Sequence, residues 1–180
     1  MKVSIFAGII LFSILCVGCE EKIQPSVLTT SDSRTLPQQE SWNSTIVVSD
    51  SGRVSAIIIA GNVRVYETSH LTQMSQGVRV RFFDAKGAQT SILTSEKGSV
   101  DEITNNLEAN TNVVVVSNDS SRMTTQRLKW DNERRLIYTP KDEYVEITTE
   151  RENLQGYGFE SDQSLKNYRI FRVTGQTKPE

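Results

Sequence analysis

Short apolar runs separated by polar residues repeat along the chain from residue 45 onward. Runs of strand length lie at residues 45–49, 54–60, 63–66, 78–83, 91–94, 107–109, 113–117, 123–130, 136–138, 144–148, 154–159 and 168–173. The segments between many of them are rich in Ser, Asp, Asn and Gly, which favour turns. Beyond residue 20, no stretch shows helical spacing of apolar residues over a dozen positions. The pattern therefore predicts an all-β meander with little helix.

Several runs carry information about which side of a sheet is buried. Residues 78–82 and 144–148 alternate strictly, which indicates one apolar face and one wet face. Four consecutive valines at residues 113–116 instead predict a strand covered on both sides. Residues 94–101 also align with residues 124–131 at an offset of 30, and Asp162 follows Asp131 after 31 residues, so three loose copies each carry an Asp-containing turn. This faint repeat favours an elongated pair of stacked sheets over a compact barrel.

The N-terminus carries a separate signal. Lys2 precedes an apolar run that ends at Leu15, and Gly18 precedes Cys19, after which charged residues begin. This arrangement predicts a secretory signal, and an uncleaved anchor helix is the alternative because the run falls little short of the roughly 20 residues that span a bilayer. It also resembles a bacterial lipoprotein signal, in which the cysteine is acylated, although Leu15 stands four residues before Cys19 where that pattern prefers three. An ordinary signal followed by a chance cysteine is the other interpretation.

These signals divide the chain into four parts. We expect a lipoprotein-type signal peptide at residues 1–18, a flexible tether at residues 19–41, a folded domain at residues 42–175 and a short tail at residues 176–180. The tether assignment follows from its content of Ser, Thr, Gln, Pro and charged residues. One domain of ordinary size fits this length.

Charge and cysteine content exclude several classes of function. The formal net charge is -2, and since Lys2 is the only charged side chain before Cys19, the remainder carries 19 minus 22, or -3. A nucleic-acid partner therefore has no electrostatic support. Both cysteines, Cys16 and Cys19, lie in the leader, so the folded part has no thiol for a disulfide, a zinc site or a nucleophile.

Candidate catalytic groups are scarce. His70 is the one histidine, and its polar surroundings predict a solvated surface residue, although a hydrolase on a β-helix would have to use it. Asp101, Asp131 and Asp162 stand in turn-like surroundings, where backbone hydrogen bonding is a better assignment than paired carboxylates of a glycosidase. We expect no enzyme activity, no catalytic residue, no metal and no cofactor.

Several short segments follow one another in a characteristic order across residues 42–173. They are Leu107-Glu108-Ala109 before the valine run, Met123-Thr124-Thr125, Leu128-Lys129-Trp130-Asp131, Val145-Glu146-Ile147 and the glycine-bearing residues 154–162. In pattern and order the chain resembles the LptC family of lipopolysaccharide export. The resemblance implies an open, elongated β-jellyroll of two facing antiparallel sheets around an apolar groove. Family members take lipopolysaccharide from an inner-membrane ABC transporter and pass it to an OstA-like periplasmic bridge protein, and they are not enzymes.

The resemblance implies specific positions for cargo and partners. The alternating strands supply ten candidate groove residues: Val80, Phe82, Val113, Val115, Met123, Leu136, Tyr138, Val145, Ile147 and Phe159. By analogy residues 54–66 are an edge facing the transporter and residues 168–173 an edge facing the bridge protein. The candidate edge residues are Val63, Val65, Gly156, Gly158, Tyr168 and Ile170. The best-studied relatives use a membrane-spanning helix as anchor, so Cys19 is a departure.

The implied location is the periplasm, with the chain anchored to the inner membrane through Cys19 or through an uncleaved N-terminal helix. The alternative function is a structural or adhesive β-repeat lipoprotein with a dry, closed core and no lipid cargo. An open groove between the sheets favours transport, and a closed core favours the alternative.

Overall fold

A computed structural model describes residues 36–50 and 52–177 of the chain, which fold almost entirely as β-strands. The strands are β1 (Gln39–Asp50), β2 (Arg53–Tyr66), β3 (Leu71–Phe83), β4 (Gln89–Ser95), β5 (Lys97–Asp101), β6 (Leu107–Ser117), β7 (Arg122–Asp131), β8 (Leu136–Tyr138), β9 (Tyr144–Thr148), β10 (Asn153–Ser161) and β11 (Tyr168–Thr177). A short 3-10 helix, Glu67–Ser69, joins β2 to β3. The all-β prediction is confirmed.

The strands form one antiparallel sheet in the order β1-β2-β3-β4-β6-β7-β8-β10-β11. The short strand β5 continues beyond β4 and pairs with β3 and β6, and β9 likewise pairs with β7 and β10. The short strands β4 and β5 thus pair one after the other with the same two long strands, β3 and β6, and β8 and β9 do so with β7 and β10. Within the described residues β1 and β11 end the sheet, which is therefore open, as the sequence analysis expected.

A line of irregular positions crosses the sheet and bends its long strands. The pairing register shifts at Gly61 in β2 and at residues 111–112 in β6, and Gly77 in β3 has a φ of 87°. The Gly77 N–H donates to the Glu96 carbonyl (3.2 Å), and the Glu96 N–H donates to the Thr111 carbonyl (3.0 Å). Because a bulge increases strand twist and bending, this line divides the sheet into two halves.

The two halves face each other as the two layers of a jellyroll. We call residues 53–60, 78–83, 89–95, 113–117, 122–125, 144–148 and 153–157 the first half-sheet, and residues 62–66, 71–75, 97–101, 107–110, 127–131, 136–138 and 159–161 the second. Phe82 of the first contacts Trp130 of the second, with ring centroids 6.3 Å apart. Ser91 Oγ of the first donates to the Gln163 carbonyl beyond the second, at 2.9 Å. The core lies between them.

The three aspartates assigned to turns occupy turns. Asp101 Oδ1 accepts from the Thr104 N–H (2.9 Å), Asp131 Oδ1 from the Arg134 N–H (2.9 Å), and Asp162 Oδ1 from the Ser164 N–H (2.9 Å). These bonds fix each chain reversal at the same end of the second half-sheet. Hydrogen bonds from backbone N–H groups also lower the pKa of Asp101, with Thr104 the largest contributor.

Other expectations required correction. Strand β1 begins at Gln39, three residues before the expected start of the folded domain, and β5 was not predicted. The valine run is covered on one side only, because Val113 and Val115 are buried while Val116 is 37% exposed on the outer face.

Candidate functional site

The candidate site is the apolar interior between the half-sheets. Eight of the ten predicted groove residues belong to its buried cluster: Val80, Phe82, Val113, Val115, Met123, Val145, Ile147 and Phe159. Alternation explains the agreement, since every second residue of a strand faces the same side. Cross-strand pairs such as Val80 with Leu93 and Met123 with Ile147 align these side chains in rows.

Two predicted groove residues, Leu136 and Tyr138, lie outside the cluster. Their strand β8 is only three residues long, and its buried member is Ile137. Ile137 pairs with Trp130 on one side and with Ser161 on the other, and both partners are buried. Pairing with these neighbours turns Leu136 and Tyr138 to the outer face.

The interior is closely packed. Between the facing halves, Ile58, Phe82, Leu107 and Trp130 line a crevice of about 60 Å³, which reaches the exposed turn residues Asn105 and Arg135 at one end. That volume is far smaller than an acyl chain of lipid needs. The interior as it stands therefore has no room for an acyl chain.

The apolar interior extends to both free edges of the sheet. Ile46 and Val48 of β1 pack against the buried cluster from one side, and Tyr168 and Ile170 of β11 do so from the other. Next along β11, Val173 is 53% exposed. Because β1 and β11 also end the hydrogen-bonding order, each edge combines unpaired backbone groups with apolar side chains.

The prediction that residues 54–66 form the edge facing the transporter is wrong, because this strand is not at the edge of the sheet. Val63 and Val65 belong to β2, and β1 covers that strand, with Ser41 paired to Val63 and Gln39 to Val65. The sequence predicted a strand at residues 45–49 but gave no strand signal for the polar residues 39–44, and the edge was assigned to the following strand by analogy with the family. Tyr168 and Ile170, by contrast, lie on a terminal strand as expected.

Comparison with protein-family models gives a match over residues 7–178, to the family described as "Lipopolysaccharide-assembly, LptC-related". The chain belongs to the LptC family. Its members are lipopolysaccharide-transport proteins of the periplasm linked to the inner membrane, so this chain has a role in lipopolysaccharide transport. It does not come from a known enzyme family. No curated protein matches the chain.

In this LptC-family chain, Gly156 and Gly158 lie in β10 and shape its contact with β11. A Cβ on Gly156 would overlap the Arg172 carbonyl oxygen and lie 2.5 Å from Ile170 Cγ2. Gly158 has a φ of 69°, in the left-handed region that glycine adopts at no steric cost. Both glycines therefore permit the close approach of the terminal strand, but neither lies on the free edge itself.

Charged side chains cover the outer face beside β11. Arg169 and Arg134 each lie 3.5 Å from a Glu160 carboxylate oxygen, and the Arg172 guanidinium lies over the Tyr157 ring at 4.4 Å. On the inner side, burial raises the pKa of Tyr168, whose hydroxyl donates to Glu152 at 3.1 Å. The strand thus presents an apolar inner side and a charged outer side.

Other predicted features lie away from this interior. His70 is exposed, as expected, and follows the 3-10 helix with a φ of 51°. The signal at residues 1–18, Cys19, the tether up to residue 35 and the last three residues of the tail lie outside the described residues. Within residues 36–50 and 52–177, no helix has the length and apolar character needed to cross a membrane.

Proposed function

We propose that this LptC-family protein accepts lipopolysaccharide from an inner-membrane ABC transporter and passes it to an OstA-like periplasmic bridge protein. The supporting observation is an apolar interior that continues without a break to half-buried residues at both free edges. The interior shelters the acyl chains during this transfer. Burial is worth ~0.8 kcal/mol per methylene, so a chain of about a dozen carbons gains on the order of 10 kcal/mol there.

The close packing of the interior sets a requirement for this mechanism. An acyl chain must replace protein contacts between the half-sheets, so the half-sheets separate as the cargo enters and close behind it. The chain offers no phosphate-binding glycine loop in its sequence, so the energy for loading comes from the transporter.

A photoreactive phenylalanine analogue at Val115 tests this function in cells that export lipopolysaccharide. Val115 is 2% exposed and faces inward, whereas its neighbour Val116 is on the outer face of the same strand and serves as the matched control. We expect capture of lipopolysaccharide from Val115 and none from Val116. Failure of capture at Val115 in actively exporting cells contradicts the proposal.

The two free edges suit two different partners. By β-strand addition, β1 faces the periplasmic domain of the transporter and β11 faces the bridge protein, each through unpaired backbone groups. Photoreactive groups at the exposed Val47 of β1 and the exposed Val173 of β11 test this assignment. Capture of the bridge protein by the β1 position rather than by the β11 position would reverse it.

The N-terminus holds the protein at the inner membrane in this proposal. Acylation at Cys19 is the preferred anchor, and an uncleaved helix is the alternative. Mass spectrometry distinguishes the two, because acylation gives a mature chain that begins at lipidated Cys19. An intact, unmodified N-terminus would indicate the helix instead.

A second candidate, a structural or adhesive β-repeat lipoprotein without cargo, is favoured by the close packing of the interior. In that case the buried cluster is an ordinary core and never opens. Hydrogen exchange of interior amides, such as that of Val113, separates the two functions. Lipopolysaccharide accelerates this exchange if the half-sheets open for cargo and leaves it unchanged if the core is structural.

A further inference from the structure

The outer surface of the first half-sheet carries a row of alternating apolar and basic side chains. Residues directly opposite one another on neighbouring strands share a face, so the strand pairings trace this row outward from Val116. The pairings join Ile57 to Arg81 and Arg81 to Ile92. They then join Ile92 to Val116 and Val116 to Arg122. The row therefore crosses the sheet from β2 to β7.

A second row lies beside the first and joins Ile59 to Arg79. Ile59 is 40% exposed and Val116 is 37% exposed. From β1 to β7 the two rows contain no acidic residue. Exposed apolar side chains that are grouped in one patch indicate an interaction surface more often than single scattered ones do. We define the basic face as Ile57, Ile59, Arg79, Arg81, Val116 and Arg122.

The three arginines of the basic face have no acidic partner in the part of the chain that the structure describes. The outer surface of the second half-sheet differs, because its basic residues are paired. Arg64 lies 2.9 Å from a Glu40 carboxylate oxygen, and Lys129 lies 3.2 Å from one of Glu108. The basic face thus keeps its positive charge for an external partner.

Arg81 provides a second, independent sign of a partner. Its Nε is buried between neighbouring strands and has no hydrogen-bond acceptor among the described residues. Buried N–H groups are nearly always hydrogen-bonded, and a guanidinium matches the two oxygens of a carboxylate. The unpaired Nε therefore indicates that the missing acceptor comes from another molecule.

The shape of the basic face favours a protein over a bilayer. An isoleucine side chain extends less far from a sheet than a guanidinium does, so a bilayer would meet the arginines before the apolar groups could enter it. A protein segment can place carboxylates on the arginines and apolar side chains between them. The basic face also adjoins the free edge, since Ile57 pairs with Val47 of β1.

We propose that the basic face binds an apolar and acidic segment of the transporter's periplasmic domain, the same partner that adds a strand to β1. Carboxylates of that segment pair with the three arginines, and its apolar side chains cover Ile57, Ile59 and Val116. This inference rests on the proposed transport function and adds the chemistry of the contact.

Binding of the full chain to the purified transporter complex tests the surface. Arg79 is exposed and unpaired within the described residues, so Arg79→Glu should keep the native melting temperature. We expect it to weaken binding at least about tenfold, because the new carboxylate meets carboxylates of the partner. Arg151→Glu, the same charge change in the exposed turn between β9 and β10, is the matched control and should bind as the native chain does.

The outcomes separate the surface from the function. If the native chain binds and Arg79→Glu binds equally well, the basic face is overturned and the transport function stands. Equal losses in Arg79→Glu and Arg151→Glu also overturn it, since net charge would then explain the effect. Absence of binding by the native chain contradicts the transport function itself.

Photocrosslinking in the membrane-held chain gives a second measurement without a charge change. A photoreactive phenylalanine analogue replaces Ile59 in one variant and Gln73 in the other, where Gln73 is exposed and pairs with Arg64 on the second half-sheet. We expect capture of a transporter subunit at Ile59, several-fold above the level at Gln73. Capture of phospholipid at Ile59 instead, or of the transporter at no more than the Gln73 level, overturns the proposal.

Discussion

Gly156 tests how closely β11 must approach β10. In Gly156→Ala, the new methyl overlaps the Arg172 carbonyl oxygen and lies 2.5 Å from Ile170 Cγ2. Backbone cannot rotate away as a flexible side chain does, so β11 has to shift. Overpacking of this kind costs about 1–3 kcal/mol. With a urea m-value of about 2 kcal/mol/M, a loss of about 2 kcal/mol lowers the unfolding midpoint by about 1 M.

Gly175→Ala is the matched control for this substitution. Gly175 lies on β11, and the nearest atom to its added methyl is the Gln155 side-chain oxygen at 3.2 Å, which can move. Urea unfolding followed by tryptophan fluorescence should show a lower midpoint for Gly156→Ala and a midpoint near the native value for Gly175→Ala. Equal midpoints for Gly156→Ala and the native chain would refute the steric argument, and equal losses in both variants would assign the effect to glycine replacement in general.

Two further predictions address the core and a turn. Ile137→Ala should destabilise the fold by about 2–5 kcal/mol because Ile137 is buried, and Leu136→Ala should cost clearly less, as measured by thermal unfolding; equal losses would contradict the assigned faces of β8. Partial burial raises the pKa of Asp162, but the hydrogen bonds from Ser164 and Asn167 lower it. The hydrogen bonds outweigh burial, so the pKa of Asp162 lies below its ordinary value. Its stabilisation is therefore present above the unfolded-state pKa of about 3.9 and is lost as pH falls through the lower folded-state pKa. Asp162→Asn should weaken this acid dependence in urea unfolding at pH 7 and pH 3, and an unchanged dependence would count against the assignment.

Strict alternation of apolar and polar residues correctly predicted which face of a strand is buried. Residues 78–82 and 144–148 were assigned inner and outer faces correctly, because a period of two leaves one choice of buried set. In β8 the three residues Leu136, Ile137 and Tyr138 are all apolar, so no period exists. Pairing with Trp130 and Ser161 decided that face.

The faint internal repeat has a structural basis. Glu96 and Gln126 occupy equivalent positions in the two copies and both lie on the bend line, where Asn112 donates to Glu96 Oε1 (2.6 Å) and Gln126 Oε1 accepts from the Asn112 N–H (3.2 Å). Asp101 and Asp131 then close the two turns. The repeat therefore marks successive crossings of the same bend, which agrees with the expected pair of stacked sheets.

The sequence by itself determined the all-β class, most of the inward-facing residues and the turn role of three aspartates, because these depend on local spacing and local hydrogen bonds. Only the tertiary structure decided that β1 rather than β2 ends the sheet, that the interior is closely packed, and that Leu165 belongs to its buried cluster. Those features arise from pairings between distant segments, such as β1 with β2 across Gln39 and Val65 or Ser91 with Gln163. The polar first residues of β1 and a leucine within a polar turn leave no periodic signal, so their positions depend on the rest of the fold.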